Sequence, residues 1–113
     1  MDYDPDTRYS HWLKQFVVTA GVQWMADQAG AHWLVDAIAS HQPNPKARAE
    51  EFQVWTLKVN PDRSALLTMT DGNTDMPIIQ QRIEWTDYPE PTAELYLVQT
   101  PGHLGTLMLP VEY

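Results

Sequence analysis

The spacing of apolar residues changes period once along this chain, near Phe52, and that change restricts the fold more than any other feature. Upstream, Val22, Met25, Ala26, Ala29, Trp33, Ala37 and Ile38 recur at intervals of three and four, as along one face of a helix. Leu34 and His41 flank this stripe, while Gln23, Asp27, His32, Asp36 and Ser40 fall on the opposite side. Downstream the period is two: Trp55, Leu57 and Val59 share one side of a strand, and Ile79, Ile83 and Trp85 share another. Each kind of element carries one apolar side that has to be buried. The chain therefore predicts an α+β fold in which N-terminal helices pack on one face of an antiparallel sheet.

The helical stripe predicts a helix over 22–41. Gly30 marks a break into 22–29 and 31–41, because an interior Gly costs about 1 kcal/mol relative to Ala. Pro43 and Pro45 end it. Ahead of it, Ser10 is placed to cap a short helix over 11–16, residues 17–19 read as extended, and Ala20 with Gly21 reads as a turn. Residues 46–51 form a charged connector carrying a helical turn. Strands are expected over 52–60, 65–70, 78–85, 94–99 and 105–109. Turns at 60–64, 71–73 and 101–102 separate them, and Asp71 with Gly72 suits the positive φ of a tight hairpin. Pro89 and Pro91 break the chain before the fourth strand. Short connections predict a four- to five-stranded antiparallel meander.

With 113 residues the chain fits one domain, 1–113, and its 43% apolar content with five Trp and five Tyr is enough for a core. There is no cysteine, which excludes disulfides, thiolate nucleophiles and Cys-based zinc sites and favours the cytoplasm. No apolar run approaches the ~20 residues of a membrane span. The first eight residues are acidic and polar, unlike the start of a signal peptide. Seven Lys and Arg against fifteen Asp and Glu give a formal charge of −8. Such a field repels phosphate backbones and anionic lipid, so the expected partners are proteins, with no direct nucleic-acid or membrane binding. Arg8, Lys14, Lys46, Arg48, Lys58, Arg63 and Arg82 are spread out and build no phosphate-binding cluster.

Candidate sites are few. His32 and Asp36 stand four apart on the polar side of the helix, where they can act as a proton-transfer couple or as two metal ligands. No third ligand follows at a recognisable spacing, so the plainer reading is a solvated pair contributing a few tenths of a kcal/mol. No metal and no cofactor is expected. His11, His41 and His103 are isolated in sequence and suit structural roles; whether His11, His41 and Asp36 converge is left to the fold. Trp33, Trp55 and Trp85 lie on inferred apolar faces and read as core. Trp24 and Trp12 fit the stripe less well and are the candidate partner-binding residues, since Trp is enriched at interfaces. Asp71 to Asp75 shares residue types with a calcium loop but lacks its twelve-residue spacing and closing Glu, and reads as a turn. Ser10, Ser40 and Ser64 have no nucleophile-elbow context.

Several stretches together resemble a small bacterial domain family of unknown function that also occurs in cyanobacteria and on mobile elements. They are Trp12 and Leu13; Thr19, Ala20, Gly21 and Val22; the run from Ala26 to Ala31; Trp33 and Leu34; and Ala37 to Ser40. Later come Phe52, Trp55, Leu57 to Asn60, then Thr86, Asp87, Tyr88 and Pro89, and finally Leu109 to Tyr113. The chain departs from the family's pattern at Ala20, where Asp is expected, and at Val111, where Ser is expected. The resemblance implies relatives and no activity.

These observations favour a non-enzymatic cytoplasmic domain that binds another protein, with self-association through a sheet edge as one route. A second reading is an acidic phage or mobile-element inhibitor that blocks a basic protein surface, which requires carboxylates gathered on one face. A third is a small enzyme built around His32 and Asp36, which requires both to face a concave pocket.

Overall fold

The computed structural model describes residues 8–10, 15–99 and 102–113. Its elements, in chain order, are β1 (Arg8–Ser10), β2 (Phe16–Thr19), α1 (Ala20–Ala29), α2 (His32–Ser40), α3 (Pro45–Arg48), β3 (Phe52–Val59), β4 (Ala65–Thr70), β5 (Ile79–Ile83), β6 (Thr92–Val98), β7 (Gly105–Met108) and a 3₁₀ turn, Pro110–Glu112. The strands form one sheet in the order β1-β2-β7-β6-β3-β4-β5. The class is α+β, as the period change requires.

The helices cover the sheet for a topological reason. β2 runs parallel to β7, β7 antiparallel to β6, and β6 antiparallel to β3. β2 and β3 therefore point the same way, and a chain joining two like-directed strands has to cross back outside the sheet. The segment α1–α2–α3 makes that crossing. Its buried side (Val22, Ala26, Leu34, Ile38, Ala47) meets the inward residues of the strands, among them Phe16, Trp55, Leu57, Leu67, Leu95 and Leu107.

Gly30 does break the long helix. It takes the left-handed conformation, φ 61°, and its N–H closes on the Ala26 carbonyl. The break also shifts the phase of the stripe. In α2 the buried positions are Leu34, Val35, Ile38 and Ala39, so Trp33 and Ala37 pack at the margin of the core and not at its centre.

Three expectations fail. The helix expected over 11–16 does not run to Phe16, which opens β2, and Ser10 pairs with Val17 in the sheet; residues 11–14 lie outside the described residues. Ala20 and Gly21 are the first turn of α1, not a loop, because Thr19 caps the helix directly at the end of β2. The sheet is neither five-stranded nor a meander. β5 and β6 are not neighbours, since β6 returns to pair with β3, and β2 adds a parallel pair. The reason lies in the connection 84–91, which carries Pro89 and Pro91 and cannot fold as a tight hairpin. It crosses the β3–β4 turn instead, where Arg63 donates to the carbonyls of Thr86 (2.9 Å) and Tyr88 (2.6 Å). Arg63 itself sits at φ 71°, a left-handed conformation unusual for a side-chain-bearing residue, and these bonds hold it there.

The strand over 78–85 stops at Ile83, so alternation no longer governs Trp85, which is 65% exposed and not core. The Asp71–Asn73 hairpin is likewise longer than a tight turn. Eight residues separate β4 from β5, and Thr70, Asp71 and Thr74 side chains accept from backbone N–H groups along the way.

Beneath α2 and α3 the core contains amides. Gln42 and Gln53 donate to each other at 3.1 Å. Gln42 also donates to the Ile38 carbonyl and Gln53 to that of Ala47, while the Trp55 indole donates to Gln53 at 2.8 Å. No buried side-chain nitrogen or oxygen lacks a partner among the described residues.

Candidate functional site

The start of α1 brings together chain positions 93 residues apart. The Thr19 hydroxyl accepts from the Val22 N–H at 3.2 Å and donates to Glu112 Oε1 at 2.6 Å. The same carboxylate oxygen accepts from the Leu109 N–H at 2.9 Å. Glu112 thus lies against the first turn of a helix, where unpaired N–H groups and the helix dipole favour a negative charge. Gly21 is what lets it approach. A β-carbon there would lie 2.8 Å from the Glu112 carboxyl carbon and both its oxygens.

Beside this latch opens an apolar cavity of about 420 Å³ lined by Gly21, Trp24, Leu109 and Val111. Trp24 is 57% exposed and Val111 almost wholly so. An exposed indole above a hollow whose described walls are aliphatic can receive an apolar side chain. On the far side of the 3₁₀ turn, Tyr113 joins Phe52 and Tyr96 in a three-ring cluster on the sheet face opposite the helices, with ring centroids 5.1–5.7 Å apart. Glu94, bonded to the Tyr96 phenol, holds its pKa up.

The other candidate residues are dispersed. Trp12 and His11 lie outside the described residues. His32 Nε2 is 2.6 Å from Asp27 Oδ1, across the Gly30 break, and both side chains are about half exposed (56% and 45%). Asp36 is half-buried on α2. Neither His32 nor Asp36 lines the apolar cavity or the smaller one, about 290 Å³, bounded by Val59, Pro61, Arg63, Pro89 and Pro91. His41 stacks on Trp55 at 5.6 Å and meets Gln81 Oε1 at 2.6 Å, while His103 is exposed in the turn before β7. Among the described residues no three His, Asp or Glu side chains are grouped to hold a metal ion. Of the two tryptophans singled out for partner binding, Trp24 is the one whose setting is visible, and it is exposed.

Sequence reasoning missed Thr19, Gly21 and Glu112 as a unit, and Arg63 as the clamp on the β5–β6 connection. Glu112 looked like one acid among fifteen. Only its tail stretch, and separately the stretch around Thr19, stood out by resemblance.

A family model described as a family of unknown function (DUF6876) matches residues 3–113. No curated protein matches the chain, and no solved structure does.

Proposed function

This chain belongs to DUF6876, a family of unknown function, and from its surface we propose that it is a non-enzymatic, cytoplasmic protein-binding domain whose contact surface is the Trp24 cavity. The observation that carries this reading is a half-exposed indole over an apolar hollow, set on a helix whose first turn is pinned to the chain's last turn. An indole left in water costs free energy that burial against a partner recovers, at roughly 25 cal/mol per Å² of apolar surface. Trp is also the residue type most enriched among dominant contact residues. The occupant that suits the hollow is a protruding aliphatic or aromatic side chain. With a formal charge of −8 surrounding it, the favoured partner presents that side chain from a basic surface.

The absence of cysteine fits a reducing compartment. Among the described residues no helix is long and apolar enough to cross a membrane. The inhibitor reading draws less support. The described carboxylates sit on α1 (Asp27), on α2 (Asp36), between α3 and β3 (Glu50, Glu51), in the β3–β4 turn (Asp62), on the β4–β5 connection (Asp71, Asp75), on the 84–91 connection (Glu84, Asp87, Glu90), on the open sheet face (Glu94) and in the last turn (Glu112), and so are not gathered on one face.

Two exposed tryptophans among the described residues, Trp24 and Trp85, make the test internal. The full chain is used as bait in native lysate beside Trp24→Ser and Trp85→Ser. Partners retained by Trp85→Ser and lost by Trp24→Ser support the assignment; partners retained equally by both variants remove it.

A further inference from the structure

We infer that two copies of this chain pair through β5, antiparallel and centred on Gln81, extending the sheet across a two-fold axis. β5 is the last strand of the sheet and bonds only to β4, so one row of its backbone N–H and C=O groups has no strand partner among the described residues. Edge strands are normally protected by proline, lysine, a bulge or an inward charge. Ile79–Ile83 contains no proline and no lysine, and its register against β4 runs unbroken from Ile79 to Ile83. Its one charged residue, Arg82, points away from the core.

The register follows from the side chains. Opposed residues in an antiparallel pair point to the same face, so a two-fold axis perpendicular to the sheet has to pass through one residue. Centred on Gln81, the whole strand pairs. Ile79 meets Ile83 on the core side, Gln80 meets Arg82 on the open side, and no like charges are opposed. Centring on Arg82 sets that residue against its own copy, which is unfavourable. Centring on Gln80 leaves Arg82 and Ile83 beyond the partner strand. The exposed side chains of Met76 and Trp85 flank the strand at its two ends, and the Gln81 register brings the Met76 end of one copy beside the Trp85 end of the other.

Charge also selects this edge. Two chains of formal charge −8 repel at long range, yet β5 itself contains no carboxylate and one arginine, and residues 76–85 balance Glu84 against Arg82. The partner that fits is therefore a second copy: it supplies the one complementary strand whose register and charges the chain itself fixes. This contact does not involve the Trp24 cavity and stands independently of its assignment.

The test is sedimentation equilibrium of the full chain between about 1 µM and about 1 mM, the range in which a modest interface is measurable. A concentration-dependent dimer is expected. Gln80→Glu sets a carboxylate against the partner's Arg82 and tightens the dimer by about fivefold, although it makes each chain more acidic. Gln80→Lys sets like charges together and weakens it by about the same factor. Gln80 is exposed, so both variants fold, as circular dichroism will verify. Trp24→Ser leaves the dimer unchanged. A strict monomer throughout the range overturns the inference, as does a dimer indifferent to the charge at position 80. A dimer abolished by Trp24→Ser assigns self-association to the apolar cavity and also removes β5.

Discussion

Two polar clusters hold helices to the sheet, and they differ in what surrounds them. The Gln42–Gln53–Trp55 cluster is fully buried, and each amide meets both a side chain and a backbone carbonyl. The Thr19–Glu112 latch is only part-buried, joins the end of β2 to the 3₁₀ turn, and borders an open apolar hollow. Buried amides have exchanged water for protein partners and cannot release them without large cost. A part-buried carboxylate can exchange its partners for water. The first cluster therefore reads as architecture. The second reads as the part of the fold that supports a surface, since the position of Val111 and Leu109 depends on one side chain between them and the helix.

If that contrast is right, damage to the buried cluster costs most. Trp55→Ala removes a fully buried indole along with the donor to Gln53, and a loss of about 3–5 kcal/mol is expected in urea unfolding. Glu112→Ala removes the acceptor for the Thr19 hydroxyl and the Leu109 N–H. Both groups gain access to water, so the expected loss is smaller, about 1–2 kcal/mol. The apolar hollow should loosen as well, read as increased binding of a hydrophobic dye. Equal losses from the two substitutions would erase the distinction between the clusters.

Much of the layer arrangement was legible because it rests on period alone. β4 falls on its expected bounds of 65–70, and β3, β6 and β7 lie within two residues of theirs. The break at Gly30 was legible because Gly is the residue that tolerates a positive φ at a helix end. β2 was legible only as an extended stretch over 17–19 and not as a strand of the sheet, since its four residues are too few to show alternation. Strand order was not legible either. The 84–91 connection that returns β6 to β3 is held across the β3–β4 turn by Arg63, through long-range bonds with no local signature. Trp85 was misassigned for a related reason, because the alternating pattern carries no information about where pairing stops. The latch is the clearest case. Thr19 and Glu112 each look ordinary, and only the fold shows that two of the stretches shared with the family meet at one carboxylate.

Gly21 sharpens the same contrast through a change of sign. Glycine inside a helix is normally replaced by alanine with a gain of about 1 kcal/mol. Here the added methyl meets the Glu112 carboxylate at 2.8 Å, so Gly21→Ala is expected to destabilise by about 1 kcal/mol in the native background. In a Glu112→Ala background the obstruction is gone and the same substitution should stabilise. Thermal unfolding of the four chains decides it. If Gly21→Ala has the same sign in both backgrounds, the carboxylate is not what the glycine accommodates.

The β3–β4 turn supplies an exposed carboxylate against which the part-buried one can be scaled, and its effect should be the smallest. Asp62 accepts from the Ser64 hydroxyl at 2.6 Å and from the Ser64 N–H at 2.9 Å, and these bonds, the hydroxyl first, hold its carboxyl below the ordinary value of 3.8. A group whose pKa falls on folding contributes stability above its unfolded pKa and loses it as pH drops through the folded value. The native chain should therefore hold a small advantage over Asp62→Asn near neutral pH, and that advantage should close below about pH 4, as followed by melting temperature against pH. Because the side chain stands in water, solvent screening keeps the gap narrow. A gap that stays constant down to low pH would mean that the two Ser64 bonds do not favour the ionised form. A gap wider than the loss from Glu112→Ala would mean that exposure does not rank these clusters at all.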